Sequence, residues 1–169
     1  MTEDVVRALG HLALGSRLKR ISERLQGQTQ ILLEAEGISL SASFFPLLAV
    51  LDRLGALSVG ELSQALGVSQ PGMTRMLNKL KAEGLVTSQP VVGDRRLRPI
   101  MLTPSGNDLV RRAKSSLWPR IESAVADACA GLSGPFLAQL AALETTLATE
   151  SLLQRAARLT PRESELASH

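Results

Sequence analysis

Between Ser58 and Gly84 the chain is punctuated so closely that few local structures fit it. Ser58-Val59-Gly60-Glu61 has capping-box spacing: the serine hydroxyl can accept from a backbone N–H three residues on, and the glutamate can reach back to the cap. The helix it opens is short and ends at Leu66-Gly67. Ser69 is the next N-cap, and Pro71 falls in the first turn, where its missing N–H does no harm. Met73, Met76, Leu77 and Leu80 then recur at i, i+3, i+4 and i+7, the pattern of a buried stripe, and Gly84 closes the helix. The segment spells two short helices hinged at a glycine. Its polar side carries Gln70, Thr74, Arg75, Asn78 and Lys79.

A hairpin follows. Leu85–Gln89 reads as a strand, Pro90-Val91-Val92-Gly93-Asp94 as a turn with a Gly-Asp tip, and Arg95–Leu102 as the return strand. Pro99 removes one ladder hydrogen bond there, so a short ribbon or an open edge is expected. Thr103-Pro104 opens another helix, running towards Cys129 through Leu109, Leu117 and Ile121, with Pro119 a point for a bend. Upstream, Val5 to about Gln30 reads as one long helix whose apolar stripe shifts near Gly15, followed by a turn over 36–43 and a buried helix over about 44–54. Downstream, Ser133 to about Leu153 reads as a last helix with Phe136, Leu140, Leu143 and Leu147 on one face, and a polar tail begins at Thr160.

The distribution of charge says more than its total of +3. Between Ser69 and Arg98, Arg75, Lys79, Lys81, Arg95, Arg96 and Arg98 face only Glu83 and Asp94, a local excess of four, so the remainder sums to −1. A basic patch on a nearly neutral body suits a polyanion. Aromatic residues make up 2% of the chain, too few for a binder that stacks single-stranded bases on rings. One cysteine and two histidines supply neither a disulfide framework nor a zinc site, and no phosphate-binding or dinucleotide fingerprint is present. No cofactor, no metal and no catalytic residue are therefore expected. The N-terminus lacks the basic start and apolar core of a signal peptide, and no apolar run reaches the ~20 residues that span a bilayer; a cytoplasmic protein is expected.

A helix-turn-helix lays its second helix in the major groove of DNA and braces it with the first. The polar side of the 69–81 segment fits that task. Gln70, Thr74 and Asn78, four apart, line one edge. Asparagine and glutamine pair with adenine, arginine with guanine, and threonine meets a thymine methyl. Ser69 and the free N–H groups at the helix start can hold a phosphate. Arg95, Arg96 and Arg98 on a thin ribbon can enter a minor groove. Asp94 is expected to pair with Arg96 and fix the ribbon, leaving Arg95 to probe. Two other uses compete: a winged module that binds protein rather than DNA, and a helical-bundle enzyme with hidden paired carboxylates. Cys129, in the run ADACAG, is expected to pack rather than sense oxidants; His11 to be a satisfied structural histidine; Trp118 to anchor the core or a dimer; Met73 and Met76 to be core.

The run LSVGELSQALGVSQPGMTRMLNKLKAEGLVTSQPVVGDRRLRPIMLTPSGNDLV, and within it VSQPGMTRMLNKLKAEGLV, GDRR and LTPSG, closely resembles the winged helix-turn-helix core of MarR-type bacterial regulators. The match covers about Leu57 to Val110. The resemblance implies a mainly α fold with a minor β part: dimerisation or linking helices over 1–56, a winged DNA-binding lobe over 57–103, C-terminal dimerisation helices over 104–154 and a flexible tail over 155–169. It implies a homodimer on a pseudo-palindromic operator in double-stranded DNA, commonly acting as a repressor. In many members a small aromatic or phenolic effector settles between the dimerisation helices and the DNA-binding lobe and releases the DNA. The contacts carried over fall on Ser69, Gln70, Thr74, Arg75 and Asn78 in the recognition helix and on Arg95 and Arg96 in the wing. Gly72 in that helix is expected to be tolerated because the backbone there approaches DNA.

Overall fold

A computed structural model describes residues 3–90 and 98–159. The described residues form helices and one two-stranded sheet: α1 (Val5–Ala8), a 3-10 turn (Gly10–Ala13), α2 (Leu14–Ala35), a 3-10 turn (Ala42–Phe44), α3 (Phe45–Leu54), α4 (Val59–Leu66), α5 (Gln70–Ala82), β1 (Val86–Ser88), β2 (Ile100–Leu102), α6 (Pro104–Arg112), a π turn (Ala113–Leu117), α7 (Trp118–Cys129), α8 (Phe136–Thr149) and α9 (Leu152–Leu159). This is a winged helix-turn-helix carried on long helices. Two compact units divide at Ser123/Ala124.

The first unit holds one apolar core. Leu33 of α2, Leu47, Leu48 and Leu51 of α3, Leu62 of α4, Met73, Leu77 and Leu80 of α5, and Leu109, Val110 and Leu117 around α6 are buried together. Met73 and its partners meet the expectation from the i, i+3, i+4, i+7 spacing, while Met76 at the edge of the stripe is half-buried. β1 and β2 pair antiparallel with Val86 opposite Leu102 and Ser88 opposite Ile100. Leu57 adds a bridge on the other side of β2, exchanging N–H···O bonds with Ile100 at 2.7 and 3.0 Å.

Where elements depart from the sequence reading, a specific residue is the cause. The N-terminal helix is not continuous from Val5: Gly10 takes φ +57, which a right-handed helix cannot contain. The chain breaks there, and Gly15 lies undisturbed inside α2. Asp4 caps α1 through the Arg7 N–H and pairs with Arg20, which holds its carboxyl below the ordinary aspartate value. Of the expected return strand, 95–97 lie outside the described residues, and the described part pairs from Ile100. Arg98 and Pro99 lie outside it, because Pro99 has no N–H to place in a ladder. The bend expected at Pro119 is a π turn just before it; a proline nitrogen cannot bond the carbonyl four residues back, and the helix widens over the preceding turn.

The second unit, described over 124–159, contains no buried residue. Its last helix starts at Phe136, after Gly134 (φ +77) and Pro135, and stops at Thr149. Glu150 is extended, and Ser151 and Gln154 form a reciprocal cap that opens α9. That S-x-x-Q spacing is a helix-start signal that periodicity alone overrode. Arg155 and Arg158 both pair with Glu150 across the break and, Arg158 foremost, hold its carboxyl below the usual glutamate value.

Candidate nucleic-acid interface

The face around α5 is set by caps on either side of it. The Ser58 hydroxyl accepts from the Glu61 N–H at 3.2 Å, and the Glu61 carboxylate accepts from the Ser58 N–H at 2.7 Å. Hydrogen bonding of the Glu61 carboxylate to Ser58, through its hydroxyl and then its backbone N–H, lowers the Glu61 pKa. The contribution of these bonds to stability is complete above the ordinary glutamate value and is lost as pH falls through the lowered one. α4 ends in a left-handed Gly67, and the Ser69 hydroxyl then caps α5 by accepting from the Gly72 N–H at 3.3 Å. Gly72 answers to this cap: a Cβ there would lie 3.0 Å from Val68 Cγ1 and 3.2 Å from Ser69 Oγ. Both atoms belong to side chains that can give by a few tenths of an ångström.

With Met73, Leu77 and Leu80 turned into the core, the remaining positions of α5 are fixed by helical geometry. Arg75 and Asn78 lie opposite the buried stripe, exposed, with no hydrogen-bond or ion-pair partner among the described residues. Gln70 and Thr74 occupy one flank, also exposed, with the Thr74 hydroxyl donating to the Gln70 carbonyl at 3.0 Å. Ser69 stands exposed at the helix start, where Pro71 has no N–H and the Gly72 N–H donates to the Ser69 hydroxyl. Lys79 lies on the other flank, its ammonium 5.8 Å from the centre of the Phe44 ring, a cation–π distance that draws it towards the body. Arg98 is exposed beside β2. Asp94, Arg95 and Arg96, with the pairing expected among them, lie outside the described residues.

Two hollows border this lobe within the first unit. One, of about 350 Å³, is apolar, walled by Leu25 and Leu33 of α2, Phe45 and Ala49 of α3, and Trp118 and Ile121 of α7. Trp118 meets Phe45 edge-on, ring centres 6.5 Å apart. The other, about 680 Å³, is polar and open, with Lys79, Glu83, Gln30 and Arg112 on its rim. Neither was legible in the sequence, since each is walled by segments far apart along the chain. Of the residues weighed as sensors, Cys129 is half-buried and His11 is exposed rather than set in a core. Among the described residues no group of three or more His, Cys, Asp or Glu side chains could hold a metal ion.

The sequence reading also missed a junction behind α5. Thr103 caps α6, as expected, but its hydroxyl also donates to the Gly84 carbonyl at 2.6 Å, and Gly106 lies directly against the Leu85 carbonyl. The LTPSG run held both residues; what it could not show was the strand facing them.

The sequence profile of the MarR family matches residues 38–97. Among solved structures, a MarR-family transcriptional regulator from Silicibacter pomeroyi is 27% identical, covering 86% of this chain and 96% of its own, with a TM-score of 0.58. The transcriptional repressor CouR, bound to a 23-mer DNA duplex, is 29% identical over 83% of this chain and 95% of its own, with a TM-score of 0.59. CouR bound to p-coumaroyl-CoA shares the fold at a TM-score of 0.66, 23% identical over 89% of this chain and 99% of that one.

Proposed function

We propose that the chain, whose residues 38–97 match the MarR family of transcriptional regulators, is a sequence-specific reader of double-stranded DNA that represses transcription as a homodimer. The observation that carries the proposal is the uncovered side of α5: Arg75 and Asn78 directly opposite a fully buried stripe, flanked by Gln70 and Thr74. In this reading Arg75 and Asn78 meet base edges, Gln70 and Thr74 line the same groove, and Ser69 with the helix start holds a phosphate. Lys79 serves from the flank, and Arg98 continues the basic surface towards the wing, where Arg95 and Arg96 are the proposed minor-groove contacts and Asp94 their brace. No residue is given a catalytic role. No helix among the described residues is long and apolar enough to cross a membrane.

The rival use of this lobe, docking a protein, needs exposed apolar anchors. Among the described residues from Leu57 to Ile121 no large hydrophobic side chain is exposed. Exposed leucines lie outside that span, among them Leu9 and Leu12 near the N-terminus, Leu54 just before it, and Leu137, Leu147, Leu152 and Leu153 near the C-terminus. A unit of leucine-bearing helices with nothing buried is an incomplete core, and we propose that a second copy completes it. Two-fold symmetry then brings two α5 helices to half-sites about 34–36 Å apart. DNA from the protein's own promoter should be retarded in a gel, with affinity falling steeply between 50 and 200 mM salt, on the order of 10³-fold or more for a dimer meeting six or more phosphates. Absence of a shift at low salt would sink the proposal.

The 350 Å³ apolar hollow is the proposed effector site. Its ring-lined walls suit a small aromatic compound, the class of effector expected for a regulator of this family. Trp118 is the sole tryptophan and the chain has no tyrosine, so its fluorescence reports on this one place. A bound aromatic effector should change Trp118 emission and weaken DNA binding together. An effector that releases DNA while leaving the emission untouched would place the site elsewhere.

A further inference from the structure

Thr103 sits where three elements meet. Its hydroxyl accepts from the Gly106 N–H in the first turn of α6 at 3.0 Å and donates to the carbonyl of Gly84, just past the end of α5, at 2.6 Å. Its own N–H donates to the Leu85 carbonyl at 3.0 Å, and the Leu85 N–H returns to the Leu80 carbonyl inside α5 at 2.9 Å. Capping α6 requires only the acceptor half of the hydroxyl. The donor half reaches the neighbouring helix, and the close seat of Gly106 on Leu85 leaves the two helix ends no slack between them.

We propose that the Thr103 hydroxyl is a positioning latch that fixes the end of the recognition helix to the start of α6, and so sets the angle at which Arg75 and Asn78 meet DNA. The proposal rests on the DNA-reading function above and adds to it a residue that touches no DNA. It also gives α6 a route to the recognition helix: a shift of α6 reaches Gly84 through the Thr103 hydroxyl, beside the contacts that Thr103 N–H and Gly106 make with Leu85.

The two halves of the hydroxyl can be separated by substitution. Thr103→Ser keeps both, Thr103→Asp keeps the acceptor that caps α6 but has no donor for Gly84, and Thr103→Val keeps neither. Each full-length variant is measured for thermal stability, for amide exchange at Gly84 and Leu85 without DNA, and for the ratio of affinities for its promoter fragment and for a random duplex. Thr103→Ser should match the wild type throughout. Thr103→Asp should melt a little earlier, by the bond lost to Gly84, while exchange at Gly84 and Leu85 quickens and the affinity ratio falls roughly three- to tenfold, the worth of one lost hydrogen bond. Thr103→Val should show the same changes and melt earlier still, because it also loses the α6 cap. Wild-type exchange in Thr103→Asp overturns the latch whatever the DNA result, so a failure of DNA reading and a failure of the latch remain distinguishable. An equal fall in affinity for promoter and random DNA also overturns it, because added negative charge acts on both alike.

Discussion

Gly106→Ala is expected to destabilise the fold by ~2–4 kcal/mol, a large share of the stability of a domain this size. A Cβ at that position would lie 2.1 Å from the Leu85 carbonyl oxygen and 3.1 Å from its carbon. Those are backbone atoms, and that same oxygen accepts the Thr103 N–H, so neither side can yield without parting α6 from the strand. Gly72→Ala is the internal contrast. Its new methyl would crowd Val68 and Ser69 side-chain atoms at 3.0–3.2 Å, a few tenths of an ångström to relieve, against a helix-propensity gain of about 1 kcal/mol. Near-neutrality is expected. Denaturant unfolding of the two variants checks the pair: a mild Gly106→Ala would show that α6 does not seat on Leu85 as described.

The second large effect concerns assembly. Leu137 is 78% exposed and Leu153 80% exposed, so neither contributes much to the fold of a single chain. Replacing both with glutamate should leave each chain folded while placing charges in the surface proposed to meet a second copy. Sedimentation should then find monomers. Affinity for a two-half-site operator should drop roughly 100-fold or more, because the second recognition helix no longer binds as part of the same particle. A variant that remains dimeric and binds as before would place the interface on other residues.

How far the sequence could be read follows from how local each signal is. The capping box at Ser58–Glu61, the Ser69 cap and the buried face of Met73, Leu77 and Leu80 depend on neighbours three or four residues away, and each stands as expected. The uncovered positions of Arg75 and Asn78 follow from that same face. The breaks were harder. Gly10 and Ser151 interrupt stripes of leucines that periodicity joined across them, since an apolar repeat does not record whether the backbone between its members stays helical. The apolar hollow, the leaning of Lys79 onto Phe44 and the seat of Gly106 on Leu85 depend on segments that meet only in three dimensions. Thr103 was legible as a cap but not as a bond to Gly84, nineteen residues away.

In the proposed function, duplex DNA docks against the open side of α5. Competition binding of Arg75→Ala and Asn78→Ala on the promoter fragment and on random duplex, at matched salt, tests this most directly. Each substitution should weaken promoter binding by ~1–3 kcal/mol while leaving affinity for random DNA much less affected. Promoter affinity unchanged in both variants, or lost equally for both DNAs, would contradict base reading by this helix.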